Sequence, residues 1–254
     1  MCGRFVIISS PEAIRRLFGY AETPNFPPRY NIAPTQPIPT VMRVGEARQF
    51  RLMRWGLIPS WAKDPTKIGL LINARSETLN ERPAFRNAMR YRRCLVPADG
   101  YYEWSETGAR MRPLFVYPAK GGPIAFAGLA ETWTGPDGEE IDTVAIITTP
   151  AAKDLVSFHP RMPAVIAQDA FDFWLNCRAA DADVASSLLT PTPVGAFRWH
   201  EVSSAVNRHT NDDATLVEPI TEDQRSAEDA AADAPPRKAK AAAKPADEGQ
   251  GSLF

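Results

Sequence analysis

The sequence predicts an α+β fold, a single domain with a curved, largely antiparallel, barrel-like β core and short peripheral helices. Three observations support this prediction. Short alternating segments rich in β-branched and aromatic residues recur along the chain. Turns that contain glycine, as at Gly45, Gly121 and Gly138, separate several of these segments. The 24 prolines among 254 residues favour short strands and ordered loops over long helices.

The predicted elements follow in chain order. Residues 3–8 form a strand, and a helix begins at Pro11 behind the capping residue Ser10 and ends at Gly19. Residues 23–39 are rich in proline and form an ordered loop. The further predicted strands are 39–43 and 48–55, which pair as a hairpin, 114–117, 124–133, 143–149 and 197–202. The further predicted helices are 83–93, 169–175 and 181–189.

Composition limits the classes of protein to which this chain can belong. The formal net charge of −1 argues against a protein that coats nucleic acid by charge alone, although a local basic groove is compatible with it. No apolar run is long enough to span a membrane, so we expect a cytoplasmic protein without a membrane partner. We also expect a monomer. Cys2, Cys94 and Cys177 are too few and too scattered for a disulfide framework or a zinc site. We therefore expect no metal and no cofactor.

The composition changes near the carboxyl end of the chain. Beyond Glu222, Ala, Asp, Glu, Lys and Pro dominate and no apolar periodicity remains. Such a segment cannot bury enough apolar surface to offset the entropy lost on ordering. We therefore expect a domain over residues 1–221 and a disordered tail over residues 222–254, which ends in the apolar pair Leu253-Phe254.

The first five residues, MCGRF, carry a distinctive chemical signal. If Met1 is removed, Cys2 presents an α-amine and a thiol on adjacent carbons. An α-amine titrates near ~8, against ~10.4 for a lysine, so part of it is neutral and nucleophilic at physiological pH. The amine can condense with an aldehyde, and the thiol can then close a five-membered ring onto the same carbon. The alternative is that Cys2 is simply a small residue before a strand.

A condensation of this kind needs a proton donor and a group that orients the amine. Glu103 lies between Tyr102 and Trp104, and apolar surroundings would raise its pKa so that it serves as acid and base near neutral pH. The alternative is a strand glutamate that faces solvent. His159 lies in a turn-like motif and Asn73 offers a neutral donor and acceptor, although either could have only a structural role.

Arginines lie close in sequence to these candidate residues. They are Arg4, Arg75 and Arg161. If the candidate residues converge in the fold, three guanidinium groups converge with them, and guanidinium forks match phosphate oxygens. Aromatic side chains that could stack on bases are also present, unless they belong to the core. They are Tyr30, Trp61 and Trp104.

Six motifs occur in order, and together they resemble the SRAP family, the SOS-response-associated peptidases. They are MCGRF at 1–5, RYNIAPT at 29–35, WGLIPSW at 55–61, INARSE at 72–77, CLVPADGYYEW at 94–104 and HPRMP at 159–163. The resemblance extends from residue 2 to about residue 215. It implies a protein that recognises abasic sites in single-stranded DNA. It also implies that the processed Cys2 forms a thiazolidine with the ring-opened sugar, which crosslinks protein to DNA.

The resemblance also implies roles for individual residues. Asn73 would orient the amine of Cys2, and Glu103 would relay protons during sugar opening, ring closure and reversal. His159 would assist proton transfer near the sugar and phosphate. The word peptidase in the family's name implies self-removal of Met1. The residues that would hold the flanking DNA are Arg4, Arg75 and Arg161 at the phosphates and Trp61 at the junction.

The last five residues resemble a separate motif. Gln250, Leu253 and Phe254 have the spacing of the short peptide by which bacterial replication proteins dock on the sliding clamp. The tail would then bring the protein to replicating DNA. The alternative is an incidental apolar terminus.

Two other functions stay open on sequence grounds. An N-terminal-nucleophile amidohydrolase also begins with a processed cysteine followed by glycine, and there the thiol attacks an amide while the amine acts as base. Such an enzyme would release ammonia from glutamine and ignore DNA. A noncovalent single-strand binding module would instead bind intact DNA as tightly as abasic DNA and leave no adduct that survives denaturation.

Overall fold

The computed structural model describes residues 2–107 and 110–233. The chain divides after Ile220 into two units, and the first contains thirteen strands and several short helices. The predicted α+β class with a barrel-like core is confirmed. Among the described residues, no helix has the length and apolar character needed to cross a membrane.

The strands are introduced here in chain order. They are β1 (Arg4–Ile7), β2 (Arg29–Ile32), β3 (Pro37–Val44), β4 (Ala47–Trp55), β5 (Asn73–Arg75), β6 (Arg93–Ala98), β7 (Gly100–Thr107), β8 (Arg110–Pro118), β9 (Ile124–Thr134), β10 (Glu140–Pro150), β11 (Arg161–Pro163), β12 (Val165–Ile166) and β13 (Phe197–Glu201). The α-helices are α1 (Pro11–Phe18), α2 (Arg86–Tyr91), α3 (Phe171–Leu175), α4 (Ala182–Ser186) and α5 (Glu222–Asp233).

Five strands close into a barrel. The pairs β4–β3, β3–β6, β6–β9 and β9–β10 are antiparallel. The ring closes where β10 pairs in parallel with β4, with Val144 opposite Trp55. Closure leaves these five strands without a free edge over the paired residues. The barrel therefore supplies a rigid frame for the loops and short strands at its ends.

A second, antiparallel sheet packs against this barrel. Its strand order is β13-β8-β7-β1-β2. Phe5 of β1 meets Trp55 and Phe126 of the barrel in edge-on contacts, with ring centroids 5.2 Å and 6.1 Å apart. All three side chains are fully buried. This aromatic contact fixes β1, and with it the amino-terminal residues, against the barrel core.

Strand β10 brings together motifs that are distant in sequence. Its Ile146 pairs with Asn73 of β5 in parallel. Its Thr148 lies between Arg75 of β5 on one side and Pro163 of β11 on the other. The motifs at 72–77 and 159–163 therefore meet at one end of one strand.

Several element boundaries differ from the predicted ones. Helix α2 ends at Tyr91 rather than 93, because Arg93 belongs to β6 and its guanidinium is buried. That guanidinium donates to four backbone carbonyl oxygens, those of Met89, Trp174, Asn176 and Ala180. Residues 29–32 form β2 instead of part of a loop.

The predicted disorder differs from the structure over residues 222–233, which form α5. Its start carries a reciprocal cap: Thr221 Oγ1 accepts from the Gln224 backbone N–H at 3.2 Å, and Gln224 Oε1 accepts from that of Thr221 at 2.9 Å. The helix is rich in alanine, which has the highest helix propensity. Low apolar content predicts disorder for this segment, but the cap and the helix propensity of alanine are local terms that stabilise α5 without burial. The predicted clamp motif, Gln250 to Phe254, lies outside the described residues.

Candidate active site around Cys2

The first contact at the site joins Cys2 to Asn73. Cys2 lies two residues before the start of β1 and is fully buried, and Asn73 Nδ2 donates to its carbonyl oxygen at 2.9 Å. The parallel pairing of β5 with β10 fixes the position of Asn73. Asn73 Oδ1 is buried and has no hydrogen-bond partner among the described residues. Since an unpaired buried acceptor is costly, this oxygen is suited to receive a donor presented at Cys2.

The thiol of Cys2 is held in an apolar environment. Its Sγ lies 3.7 Å from the carbonyl oxygen of Arg4, at the limit of a weak hydrogen bond to sulfur. Burial raises the pKa of the Cys2 thiol well above its ordinary value, and the nearby charge of Glu103 raises this pKa further. The thiol is therefore protonated at neutral pH, and a base must take its proton when it reacts.

Glu103 is the candidate for that base. It lies on β7 with only 4% of its surface exposed, and burial raises its pKa to about 6. Tyr101, two residues earlier on β7, lies on the same face of the strand. Burial raises the pKa of Tyr101 well above its ordinary value, and the neighbouring Cys2 and Glu103 add to the effect. These three side chains therefore share one buried region, and the sequence analysis did not single out Tyr101.

His159 lies half-buried two residues before β11. The backbone N–H of Arg161 donates to its Nδ1 at 3.0 Å. Nδ1 also lies 3.2 Å from the Arg161 carbonyl oxygen, so the role of this nitrogen depends on the tautomer; from the shorter contact with the N–H, in which Nδ1 accepts, we assign the proton of the neutral ring to Nε2. Burial lowers the pKa of His159 below its ordinary value. The ring is therefore largely neutral at pH 7 and can donate through Nε2.

Arg161 reaches the same end of β10 but already has protein partners. Its guanidinium forms an ion pair with Glu77 and donates to the carbonyl oxygen and hydroxyl of Thr148. The hydrogen bond from Arg161 lowers the pKa of Glu77, which keeps that carboxylate ionised. Arg161 is thus held in a fixed position, with part of its charge balanced by Glu77.

Arg4 also has protein partners, which the sequence did not predict. Its guanidinium donates to Asn31 Oδ1 at 2.7 Å and to the carbonyl oxygens of Val206 and Asn207 at 2.9 Å and 3.4 Å. Each of these acceptors is neutral, so they position the guanidinium without cancelling its charge. Burial lowers the pKa of Arg4. Its contact with phosphate stays a prediction.

Asn31 supports the site and was missed by the sequence analysis. It has no exposed surface, and its Nδ2 donates to the carbonyl oxygens of Val206, Arg208 and Asn211 at 3.1, 3.0 and 2.8 Å. With Arg4 bound to Oδ1, this amide ties the segment after β13 to β1 and β2. The only signal in the sequence was its place in the RYNIAPT motif.

The remaining predicted residues are exposed or half-buried. Arg75 is exposed and follows Asn73 by two residues on β5, so both side chains project from the same face. Trp61 lies in the loop after β4 and is 58% exposed. Trp104 is half-buried and donates through Nε1 to Asn207 Oδ1 at 2.8 Å. Within the described part of the chain, no three His, Cys, Asp or Glu side chains cluster as a metal site would require.

A sequence model of the family described as SOS response associated peptidase (SRAP) matches residues 1–209. The chain belongs to the SRAP family. Its SRAP-family relatives include the abasic site processing protein YoqW of Bacillus subtilis, which is 38% identical over 223 residues, 86% of this chain and 99% of YoqW. The abasic site processing protein YedK of Escherichia coli is 31% identical over 229 residues, 87% of this chain and 100% of YedK.

The fold of this SRAP chain also has counterparts among solved structures. A crystal structure of a protein from Bacteroides thetaiotaomicron matches with a TM-score of 0.78 and 26% identity. The match covers 87% of this chain and 100% of the other. The family assignment and the match in fold therefore each cover most of the chain.

Proposed function

We propose that this protein recognises abasic sites in single-stranded DNA and captures them covalently through Cys2 once Met1 has been removed. The observation that carries the proposal is the convergence of Asn73 and Glu103 on Cys2. Membership of the SRAP family and the names of the relatives support it. The product would be a thiazolidine that shields the lesion during replication and repair.

The proposed reaction has two bond-forming steps. The Cys2 amine attacks the C1 aldehyde of the ring-opened deoxyribose, and loss of one water leaves an imine. The Cys2 sulfur then adds to the imine carbon, an S–C1 bond forms, and the thiol proton passes to nitrogen. The net product is the crosslinked protein–DNA adduct, formed with the loss of one water. Reversal runs the same steps backwards and restores the aldehyde.

Glu103 would move the protons in both steps. With a pKa of about 6, its carboxyl is mostly ionised at pH 7, and about a tenth of it stays protonated. It can therefore accept the thiol proton and donate a proton to the departing hydroxyl. Asn73 Oδ1 would accept an N–H of the new amine and so orient the nitrogen lone pair, while His159 would donate through Nε2 to the opened sugar.

Positioning contributes more to this reaction than nucleophilic strength does. A buried, protonated thiol is a weak nucleophile. Once the amine has formed the imine, however, the sulfur of the same residue lies within reach of the same carbon. Effective molarities for well-oriented intramolecular reactions reach about 10⁵ M and above, which compensates for the small thiolate fraction.

The DNA strand would be held mainly through its phosphates. Arg75 is exposed and projects from the same strand face as Asn73, so it can meet a phosphate next to the lesion. Arg4 and Arg161 would contribute positive charge from their fixed positions, and Trp61 would stack at the junction. Binding should weaken as salt rises, because phosphate contacts release counterions.

Self-removal of Met1 would use the same groups. The Cys2 thiol attacks the Met1 carbonyl carbon, the C–N bond breaks and frees the Cys2 amine, and water hydrolyses the resulting thioester. The description of the family as a peptidase supports this step. The proposed imine, which forms on the opened sugar beside Glu103, would also provide a route to lyase chemistry at the lesion.

One denaturing gel tests the proposed capture. The protein is incubated with abasic and with intact single-stranded DNA, denatured, and examined for a shifted band. The wild type should form the band with abasic DNA only, and neither Cys2→Ala nor a protein with an added amino-terminal tag should form it. Equal crosslinking by Cys2→Ala would overturn the mechanism. If no adduct forms and the protein releases ammonia from glutamine, an amidohydrolase is favoured. If no adduct forms and the protein binds abasic and intact DNA equally, a noncovalent binding module is favoured.

We propose in addition that the carboxyl-terminal residues Gln250, Leu253 and Phe254 bind the bacterial sliding clamp, so that the protein reaches stalled replication sites in the cytoplasm as a monomer. The spacing of the three residues supports this partner. A pull-down with immobilised clamp should lose the protein after combined Leu253→Ala and Phe254→Ala substitution. Undiminished capture of that variant would refute the clamp contact.

A further inference from the structure

An exposed aromatic pair lies beside the site and has no role in the chemistry above. The rings of Phe158 and Trp199 meet edge to face, with centroids 4.5 Å apart and planes at 72°. Trp199 remains 48% exposed even with Phe158 against it, and Phe158 is half-buried. We call this pair the aromatic platform. Its contact orients the indole but leaves about half of that side chain in water.

The sheet register places the platform next to the buried site. Trp199 of β13 and Tyr101 of β7 both pair with Val116 of β8, so the three residues form one row across the sheet on the same face. With neighbouring strands about 4.8 Å apart, the Cα atoms of Trp199 and Tyr101 lie roughly 10 Å apart. Phe158 directly precedes His159 in the chain. The platform therefore adjoins the site through the sheet and through the loop.

The loops around the platform extend its apolar surface. The backbone N–H of Gly195 donates to Asp154 Oδ2 at 2.8 Å, which holds the loop before β13 beside the loop before His159. Val156 and Val194, one in each of these loops, are 53% and 65% exposed. The apolar surface is thus built from two tethered loops and an edge strand.

We propose that Trp199, braced by Phe158, stacks on an unpaired base of the bound strand a few nucleotides from the abasic site. This inference rests on the proposed function. An abasic nucleotide offers no base to stack, so stacking energy must come from flanking nucleotides. The roughly 10 Å between the Cα atoms of Trp199 and Tyr101 is the length of about three stacked nucleotides at 3.4 Å each along one strand. Capture at Cys2, which neighbours Tyr101, fixes the position of the abasic nucleotide, and Trp199 lies on the adjacent surface that flanking nucleotides would cross.

The chemistry of the surface favours a base over other occupants. Every base has a π face, and aromatic residues in single-strand binding proteins stack on bases with little sequence preference. A single indole with a bracing ring and two valines is a small area for a protein partner, since stable protein interfaces bury about 800 Å² on each side. The platform is also continuous with the site, since Phe158 directly precedes His159, and a bound strand would pass from the captured sugar over this adjacent surface.

Equilibrium binding to a non-reactive lesion tests the platform. The probe is a fluorescent single-stranded oligonucleotide with one tetrahydrofuran abasic analogue, which lacks an aldehyde and cannot crosslink. Trp199→Ala should weaken binding about tenfold, the size expected for loss of one stacked base, and Trp199→Phe should retain most of the affinity. Tyr91→Ala removes another exposed aromatic, 66% exposed on α2, and should bind like the wild type.

A double-mutant cycle locates the stacked base. Flanking bases of the probe are replaced one at a time by a second abasic analogue, on both sides of the lesion. The wild type should lose about tenfold at one flanking position, and Trp199→Ala should lose almost nothing there while behaving like the wild type elsewhere. Equal affinities of Trp199→Ala and wild type, or equal losses at every position, would overturn the platform.

The two proposals fail separately. If the wild type forms no adduct with genuine abasic DNA, the proposed covalent function is wrong, while the tetrahydrofuran probe still decides the platform. If the adduct forms normally and the cycle shows no coupling, only the platform is wrong. Circular dichroism and thermal unfolding of Trp199→Ala and Trp199→Phe confirm that each variant folds before its affinity is compared.

Discussion

Glu103 gives the sharpest prediction because its burial should leave a thermodynamic trace that is independent of DNA. Its pKa rises from the ordinary 4.5 to about 6 in the folded protein. The folded state therefore binds the proton more tightly than the unfolded chain does. Since one pKa unit corresponds to about 1.4 kcal/mol, ionised Glu103 lowers the free energy of unfolding by about 2 kcal/mol.

The sign fixes the pH window. Well below pH 4.5 the carboxyl is protonated in both the folded and the unfolded state, so its burial does not lower the free energy of unfolding through ionisation. As pH rises from 4.5 to about 6 the unfolded chain ionises first and stability falls, and above pH 6 the full cost is present. Glu103→Gln cannot ionise, so its free energy of unfolding relative to wild type should rise by about 2 kcal/mol between pH 4 and pH 8.

Urea denaturation at half-unit pH intervals measures this difference. The matched control is Glu46→Gln, whose side chain is 90% exposed and whose ion pair lies at the surface. It should follow the wild-type pH profile closely, because exposed pairs contribute little. Parallel stability curves for Glu103→Gln and wild type across the whole range would refute the raised pKa and the acid-base role that depends on it. The same variant should crosslink about 10²- to 10⁴-fold more slowly.

Two further predictions concern binding and stability. Asn31→Ala should lower the free energy of unfolding by about 3 kcal/mol in urea melts, because the carbonyl oxygens of Val206, Arg208 and Asn211 each lose the Asn31 amide donor and Arg4 loses one of its three acceptors. The exposed Asn25→Ala should change it little, and equal losses would contradict the network. Arg75→Ala should reduce the slope of log affinity against log salt by about 0.7 for single strands. Arg16→Ala, exposed on α1, should not, and an unchanged slope for Arg75→Ala would remove its phosphate contact.

Elements with strong local signals were predictable from the sequence. Ser10 caps α1 by accepting from the backbone N–H of Ala13, and Gly19 ends the helix in the left-handed region with φ 70°. The hairpin of β3 and β4 turns at Gly45, with φ 62°. In each case the residues that determine the local structure lie within a few positions of one another, so a short segment of sequence is enough to predict it.

The closure of the barrel was not predictable in this way. It depends on parallel pairs between β10 and the strands β4 and β5, about 70 to 90 residues earlier in the chain. β5 has only three residues, too few for a period to be recognised. Short patterns indicate that strands exist but do not say which strands pair.

The candidate site was predictable only in part, for a related reason. Residue type and motif identified Cys2, Asn73 and Glu103, and the structure brings them together. The partners of Arg4 were missed, because two of them are backbone carbonyls more than two hundred residues away. Carbonyl acceptors have no sequence identity, so no motif could reveal them.

The distance along the chain between Cys2 and its partners has a consequence for biosynthesis. Cys2 leaves the ribosome before its hydrogen-bond partner Asn73, which follows 71 residues later. At roughly 5–20 residues per second, several seconds pass before β7 and its Glu103 exist. During that interval the nascent segment around Cys2 is open to other enzymes, whereas in the finished fold Cys2 is enclosed. If Met1 is removed as proposed, trimming by a separate enzyme would therefore take place during translation, and a chain that escapes it would depend on the thiol of Cys2.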